Sequence, residues 1–515
     1  MLPSKLRTML DKKDWVFLTM GVGAAVGLGF STITRGSVWF DEAFSEHITR
    51  HSFFDILRYT AADVHPPLYY WALKIWRMLF GSSELALRSL SLFFLAATIV
   101  VVYVLVRRTF TRPAAIISMI LLVLSPMLYR YGVEARMYTM ELFIIVAATA
   151  ALLAAVRAKS RKAWMVYGVL IGLGMLTHYL SAMVWAAQGL WLLAQYRQKT
   201  IKTSLAQVLK AGYGRALLAA LAVSLLWLPF MAWQVINIQG GGFWIGAVSL
   251  NTLPNYVSNA YTYINSVDLQ GWKLLLLLAA VSSGGYLVYH THRALGGVKK
   301  QAYSLLLWTA LLPPLLLFLA STPPLRSSFV DRYLIASIAL WFVVVGIALA
   351  RYTSTRSLRK LGILFLALNT VVLVGGILQV FSVGNFNKDS NSIHTMRSAM
   401  QLINASATGT EPVLADMSWR YYEASYYEQL PHRVYFRSED TTKIGAYEML
   451  RSETTNKILD MNAFAAEHPT VWFITAQARN TPSLIPKGWT EIKTYQMDAP
   501  SELRAVKIQF TGSKP

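Results

Sequence analysis

The chain has 515 residues, of which 55% are hydrophobic and only 14% are charged, against roughly 25% charged in soluble domains. A soluble fold of this size cannot bury so much apolar surface, and the mean hydropathy of +0.41 indicates a polytopic membrane protein. The sequence contains no cysteine, which excludes a disulfide framework and any thiolate metal site.

The net charge of +22 comes from 48 Lys and Arg against 26 Asp and Glu, a balance that in a soluble chain would suggest nucleic-acid binding. Residues after 384 are neutral, however, with 14 basic and 14 acidic side chains. The basic excess lies in six clusters between apolar runs, at 5–13, 107–112, 157–162, 197–215, 293–300 and 351–360. Clusters of this kind mark cytoplasmic loops of membrane proteins, so no nucleic-acid partner is expected.

A membrane-spanning helix needs about 20 apolar residues. Eleven runs of that kind occur, at 15–35, 88–106, 113–129, 139–156, 163–178, 180–196, 214–236, 272–289, 302–321, 333–350 and 361–381. With residues 1–14 in the cytoplasm, simple alternation places all six basic clusters inside. We interpret the first run as a retained helix rather than a signal peptide, because it is long and has no convincing small-x-small cleavage site.

The same alternation places four loops outside, at 36–87, 130–138, 237–271 and 322–332. Nearly all acidic residues of the membrane part fall in these loops, so any chemistry is expected at the extracytoplasmic face. Residues 1–384 are predicted to form the multi-spanning domain, and residues 385–515 an extracytoplasmic α/β domain. In that domain strand-like segments at 412–415, 433–436, 471–475 and 504–510 accompany predicted helices at 394–406 and 418–429.

Two adjacent carboxylates, Asp41 and Glu42, follow the first predicted helix within Trp39-Phe40-Asp41-Glu42-Ala43. One interpretation is a solvated helix start, where acidic side chains complement the helix dipole. The other is a general base that takes a proton from an acceptor hydroxyl, with its neighbour holding the geometry or a divalent ion.

A second motif, His65-Pro66-Pro67-Leu68-Tyr69-Tyr70-Trp71, opens an apolar stretch that ends near Phe80 and is too short to span a membrane. The two prolines favour a helix start, and the stretch is typical of a helix lying at the membrane interface. His65 would then sit at the positive helix end, either without a ligand or beside an anion such as a phosphate.

Two outer loops carry arginines against the general charge trend. Arg136 lies in Glu134-Ala135-Arg136-Met137-Tyr138, and Arg332 lies in Asp331-Arg332-Tyr333 before the tenth run. Each guanidinium is a candidate for binding a phosphate. The alternative for Arg136 is an ion pair with Glu134 at the membrane surface.

In their order and spacing, these motifs resemble those of the integral-membrane (GT-C) glycosyltransferases, closest to the protein-mannosyltransferase and aminoarabinose-transferase branch of glycosyltransferase family 39. The resemblance covers about residues 1–385. It implies transfer of a sugar from a polyprenyl-phosphate donor to a glycan, lipid or protein acceptor at the outer face of the plasma membrane.

The resemblance also implies residue roles. Asp41 corresponds to the catalytic acidic position, with Glu42 as its companion. His65 falls where relatives carry a cation near the donor phosphate, although aminoarabinose-type enzymes have Lys there, and a neutral His would instead suit a metal. The remaining implied contacts are Arg136, Arg332 and Tyr333 to the donor phosphate and Tyr69, Glu134 and Tyr138 to substrate. No cofactor is certain, and a divalent ion held by Glu42 and His65 is a possibility.

A transporter or lipid flippase is the main alternative, because such proteins are also polytopic and also use helix ends as binding sites. The acidic residues of the membrane part cluster on one face, and the sequence has no evident inverted repeat. Both features favour an enzyme.

The topology can be tested in this cysteine-free chain. A cysteine introduced at Ser390 should react with an impermeant maleimide added from outside, and one at Ser357 should be protected. Labelling at Ser357, or protection at Ser390, would place the acidic loops in the cytoplasm instead.

Overall fold

The structure is a computed structural model of the full chain. It describes residues 10–158, 160–197, 212–237, 245–383, 396–407, 409–437, 448–476, 485–497 and 503–512. Ser390, chosen above for labelling, lies outside these ranges, as do residues 394 and 395 of the predicted helix at 394–406.

Helices account for most of the described chain up to residue 383. They are α1 Lys12–Phe30, α2 Phe40–Ile48, α3 Phe53–Ala62, α4 Leu68–Phe80, α5 Glu84–Thr109, α6 Arg112–Val123, α7 Pro126–Tyr131, α8 Tyr138–Ala158, α9 Arg161–Thr177, α10 Ser181–Arg197, α11 Gly214–Ser224, α12 Leu228–Asn237, α13 Thr252–Thr262, α14 Gly271–Ala294, α15 Gly297–Ala320, α16 Ile335–Ser354 and α17 Arg359–Val383. Three short 3₁₀ helices occur at Ser266–Asp268, Asp331–Leu334 and Arg356–Leu358.

Nine of the eleven predicted runs fall largely on a single helix. The run 113–129 is divided between α6 and α7, and the run 214–236 between α11 and α12, whose axes differ by 77°. Within the described residues, six helices are long and apolar enough to cross a membrane, or seven if the bent pair is one span. The predicted polytopic helical fold is therefore confirmed, whereas the count of eleven spans stays a prediction.

The helix bundle is built around α16, the most enclosed of the long helices. With the preceding 3₁₀ turn it forms an apolar segment, Asp331–Ser354, in which 89% of the most apolar stretch is buried. Gly346 lets α6 approach closely, because a Cβ there would lie only 2.6 Å from the Cα of Ser118. The start of this segment carries Arg332 into the candidate site.

Two short helices, α2 and α3, both pack on a third, α4. The predicted helix after Pro66-Pro67 is observed as α4, which begins at Leu68 and ends at Phe80 before Gly81, whose φ is +85°. Its exposed side chains include Ile75, Met78 and Leu79, all at least half exposed. That apolar surface is typical of a helix at the membrane interface.

The C-terminal region forms a six-stranded mixed sheet with helices. Its strands are β1 Val413–Ala415, β2 Val434–Arg437, β3 Lys457–Ile458, β4 Thr470–Ala476, β5 Trp489–Gln496 and β6 Leu503–Phe510, and its helices are α18 Met396–Ser406, α19 Ser418–Tyr426, α20 Glu448–Ser452 and α21 Met461–Glu467. The strand order is β3-β2-β1-β4-β6-β5. β3, β2, β1 and β4 pair in parallel, and β6 runs antiparallel to β4 and β5.

All four predicted strands are present, which confirms the α/β class of this region. The sequence analysis missed β3 and β5 for different reasons. β3 has only two residues, and most side chains of β5 are exposed, so neither segment has the apolar run of a buried strand. The predicted domain boundary at residue 384 falls in a stretch, 384–395, that lies outside the described residues.

The C-terminal region packs directly on α2, the helix that carries the acidic pair. The ring of Tyr422 in α19 lies 6.0 Å from that of Phe40 and 5.9 Å from that of Phe44, measured between centroids. Aromatic contacts of this kind, tilted for Phe40 and edge-to-face for Phe44, add to the stabilisation from buried apolar area. The C-terminal sheet region therefore forms one wall around the helix of the candidate site.

Candidate active site

The adjacent carboxylates of α2 have opposite surroundings. Trp39, in an extended conformation, precedes the helix without a side-chain cap, and Asp41 and Glu42 occupy its first turn. Carboxylates are favoured there by the unpaired backbone N–H groups. The side chain of Asp41 is 19% exposed, whereas that of Glu42 is completely buried.

Glu42 is held by Arg88, which lies near the start of α5 and is also completely buried. Arg88 donates from Nε to Oε1 of Glu42 at 2.8 Å and from Nη2 to Oε2 at 2.7 Å. The backbone N–H of Ala135 donates to Oε1 at 2.9 Å. Because Arg88 and Ala135 occupy both carboxylate oxygens, Glu42 is better placed to hold α2 than to exchange a proton with a substrate.

Arg136 is the first cation beside Asp41. It lies in the loop between α7 and α8, is 3% exposed, and its Nε is 3.9 Å from Oδ2 of Asp41. Its Nη1 donates to Oγ of Ser45 at 3.1 Å and to the hydroxyl of Tyr70 at 3.2 Å. Among the described residues, Nε has no hydrogen-bond partner. Burial opposes the charge of Arg136, but the surrounding oxygens raise its pKa, so the side chain stays cationic.

Arg332 approaches the same carboxylate from a different element, the 3₁₀ turn before α16. Its Nη2 lies 3.6 Å from Oδ2 of Asp41. Its guanidinium carbon is between 5.6 and 5.8 Å from the ring centroids of Trp39, Tyr138 and Tyr333, which surround it. Aromatic faces stabilise a desolvated cation, so these three rings help to hold the guanidinium beside Asp41.

His65 is placed near the site, but its contacts differ from those expected of a cation. Nδ1 is 3.3 Å from Oδ2 of Asp63, and Nε2 is 3.4 Å from Nη2 of Arg136. Burial lowers the pKa of His65, and this effect outweighs the opposing effect of the hydrogen bond from His65 to Asp63. A neutral ring that donates from Nδ1 to Asp63 and accepts at Nε2 from Arg136 satisfies both contacts. We therefore interpret His65 as an orienting group for Arg136.

Of the three residues expected to contact substrate, one borders the site and two are buried against other residues. Tyr138 borders the site beside Arg332, as described. Glu134 is completely buried and forms an ion pair of 2.8 Å with Arg130; burial raises its pKa. Tyr69 is also buried, with its ring 5.7 Å from that of Tyr70, and it is Tyr70 that reaches Arg136.

The residues suggested for a divalent ion do not fit one. Both oxygens of Glu42 are engaged, and Nε2 of His65 faces a guanidinium, which would repel a metal ion. Within the part of the chain that the structure describes, no group of three or more His, Asp or Glu side chains is arranged to hold a metal.

Sequence reasoning missed Arg88, Asp63 and Tyr70. A signal for Arg88 was present in the sequence. Arg88 lies at the edge of an apolar run, four residues after Glu84, and a buried arginine without a charged partner is energetically costly, so a carboxylate partner could have been expected. Asp63 is two residues before His65, a spacing that allows a local hydrogen bond. Nothing in the sequence distinguishes Tyr70 from Tyr69, since helix rotation alone decides which one faces the site.

The Glu42–Arg88 pair leads to a stability prediction. Replacing Glu42 with Gln leaves a buried guanidinium without its counter-charge, and we expect a loss of about 3 kcal/mol in the free energy of unfolding. The measurement is the thermal midpoint of the purified protein in detergent. Glu46→Gln is the control, because Glu46 is equally buried but pairs with the more exposed Arg50 and Arg77. A fall in midpoint caused by EDTA in the wild type, or no fall in Glu42→Gln, would contradict this interpretation.

Part of the chain matches a known protein family. Residues 64–234 match the family model of dolichyl-phosphate-mannose-protein mannosyltransferases. No curated protein matches the chain in a sequence search.

Two crystal structures of ArnT from Cupriavidus metallidurans share the fold. The apo state has 14% identity and a TM-score of 0.62 over 97% of this chain and 99% of the other. The state bound to undecaprenyl phosphate has 14% identity and a TM-score of 0.58 over 98% of this chain and all of the other. The chain is therefore similar to known membrane glycosyltransferases in two respects: the family model over residues 64–234 and the ArnT fold over nearly its whole length.

Proposed function

We propose that this enzyme transfers a hexose or pentose from a polyprenyl-phosphate donor to an acceptor hydroxyl, by base-assisted displacement with inversion. The reaction would take place at the extracytoplasmic face of the plasma membrane, with the N-terminus in the cytoplasm. In this proposal residues 1–384 form the transferase domain and residues 385–515 an extracytoplasmic α/β domain.

One observation carries the proposal: Asp41 is a partly exposed carboxylate beside two guanidiniums, that of the buried Arg136 and that of the half-buried Arg332. Its Oδ2 lies 3.9 Å from Nε of Arg136 and 3.6 Å from Nη2 of Arg332. Both distances are longer than a charge-assisted hydrogen bond, so neither arginine is committed to Asp41 by a close contact. A carboxylate base with two cations close to the same oxygen suits a reaction in which a hydroxyl loses a proton and a phosphate leaves.

The proposed chemistry uses these groups as follows. Asp41 accepts the proton of the acceptor hydroxyl, whose oxygen attacks the anomeric carbon of the donor sugar. The bond between that carbon and the phosphate oxygen breaks, and its electron pair stays on the departing polyprenyl phosphate. Arg136 and Arg332 stabilise the charge that develops on the phosphate, an effect that is usually the largest single contribution to catalysis.

Donor recognition is assigned to Arg136, Arg332 and Tyr333, with His65 orienting Arg136 as a neutral ring. The similar ArnT structure was solved with undecaprenyl phosphate bound, and the name of the matching family specifies dolichyl-phosphate-mannose. Both support a donor that combines a phosphate with a long lipid. The exposed apolar side chains of α4 offer a surface at which such a lipid would enter.

The role of Asp41 can be tested with the Asp41→Asn variant. We expect turnover to fall about 10²- to 10⁴-fold, because the amide keeps the shape but accepts no proton. Donor binding should survive. The measurement is release of polyprenyl phosphate from a panel of polyprenyl-phosphate sugars by the purified protein.

Asp268→Asn is the matched control, since Asp268 is an exposed aspartate in another predicted outer loop. Near wild-type turnover by Asp41→Asn would show that the acidic pair is only a helix start.

The phosphate-binding role of Arg332 gives a separate prediction. Arg332→Met should weaken donor binding by about 1.5–3 kcal/mol, the usual value for a lost hydrogen bond to a charged group, or roughly 10- to 150-fold. Binding is measured with a polyprenyl phosphate in detergent.

Arg326→Met serves as the control, because Arg326 is an exposed arginine six residues earlier in the same loop. Equal donor affinity in the two variants would assign Arg332 a purely structural role.

A further inference from the structure

Residues 33–38, here called the lead-in segment, connect α1 to the helix that carries Asp41. The segment contains turns but no regular helix or strand, so side chains from elsewhere must fix its backbone. Asp41 follows only three residues after Val38. Any shift of the lead-in segment is therefore passed on to the carboxylate.

Arg88 binds the lead-in segment from the bundle side. Its Nη1 donates to the carbonyl of Ile33 at 2.7 Å and to that of Gly36 at 2.9 Å. Its Nη2 donates to the carbonyl of Ser37 at 3.0 Å. The same guanidinium holds Glu42, so one buried cation fixes both the segment and the first turn of α2.

Arg397, in α18 of the C-terminal region, also binds the lead-in segment. Its Nη2 donates to the carbonyls of Thr34 at 2.9 Å and Gly36 at 3.1 Å. Its backbone N–H donates to Oγ of Ser37 at 3.2 Å. The carbonyl of Gly36 thus accepts from two arginines that come from distant parts of the chain.

Tyr427, directly after α19, closes the network. Its hydroxyl accepts from the backbone N–H of Val38 at 2.7 Å and donates to the carboxylate of Glu84. Glu84 also accepts from Nε of Arg397 at 3.0 Å and lies 3.7 Å from Nη1 of Arg88. Glu84 therefore joins both C-terminal residues to the buried cation that holds α2.

From this network we infer that Arg397 and Tyr427 are positioning residues of the reaction, which hold Asp41 in place through Glu84, Arg88 and the lead-in segment. The inference rests on the proposed function and extends it to the C-terminal region. Neither residue belongs to the set assigned above to base or phosphate contact. Their effect is expected on turnover rather than on donor binding, because misplacement of a reacting group by about 1 Å can cost 10²-fold in rate.

The test compares Tyr427→Phe with Tyr426→Phe. The Tyr427 variant keeps the ring but removes the hydroxyl that joins Val38 to Glu84, and kcat is expected to fall about 10- to 100-fold with donor KM unchanged. Tyr426 is the matched control, since its hydroxyl donates to the carbonyl of Ser82 at 2.7 Å and makes no hydrogen bond to the lead-in segment. Its phenylalanine variant should keep the wild-type kcat.

Two further measurements distinguish a role in positioning Asp41 from a general loss of folded structure. Arg397→Lys should retain more kcat than Arg397→Met at equal thermal midpoint, because lysine can still donate to the carbonyls of the lead-in segment. In an Asp41→Asn background, Tyr427→Phe should cause no further loss of the residual rate, since the group it positions is already inactive. A merely structural defect would lower kcat by the same factor in the wild-type and the Asp41→Asn backgrounds.

The inference is overturned if Tyr427→Phe folds and keeps the wild-type kcat, if it raises donor KM instead, or if its effect persists in Asp41→Asn. If Tyr427→Phe does not fold, the Arg397→Lys and Arg397→Met comparison decides, and equal kcat in that pair overturns it. Failure of the wild type to release polyprenyl phosphate from any donor would refute the proposed function itself, a different result.

Discussion

The arrangement of the site depends on one desolvated charge, the guanidinium of Arg88. Removing an arginine from water is costly unless every part of it is paired and hydrogen-bonded, and losing one partner of such a pair is strongly destabilising. Arg88 meets this requirement with the carboxylate of Glu42 and three backbone carbonyls. The direction in which the chain enters α2 and the rotation of its first turn both follow from that single side chain.

This constraint explains why two adjacent carboxylates have different surroundings. Side chains at successive helix positions point about 100° apart, so fixing Glu42 inward turns Asp41 toward Arg136 and Arg332. The buried carboxylate keeps a constant partner, and the accessible one is left for chemistry. A pair that looks symmetrical in the sequence is thus divided by the structure into an anchor and a candidate base.

Hydropathy and charge predicted the helical bundle and the α/β class of the C-terminal region, because both follow from periodicity and apolar run length. The motifs also indicated residues that converge in space, such as Asp41, Arg136 and Arg332. What the sequence did not reveal were contacts between distant segments. Arg88 with Glu42 and Tyr427 with Glu84 join residues 46 and 343 positions apart, and such pairings depend on packing that no local pattern encodes. The protonation state of His65 likewise depends on burial, which disfavours the charged ring. Residue type alone does not show how far the ring is buried.

The pairing of β6 with β4 has a consequence for how the enzyme is made. β6 comes last along the chain among the described strands, yet it lies inside the sheet between β4 and β5. The sheet region that supplies Tyr427 and Arg397 can therefore be completed only after residue 510 has been synthesised, long after the first helices have emerged from the ribosome. A nascent or truncated chain would carry every proposed catalytic side chain but lack a finished wall around it. If Arg397 and Tyr427 position Asp41 as inferred, activity develops only once this sheet is complete.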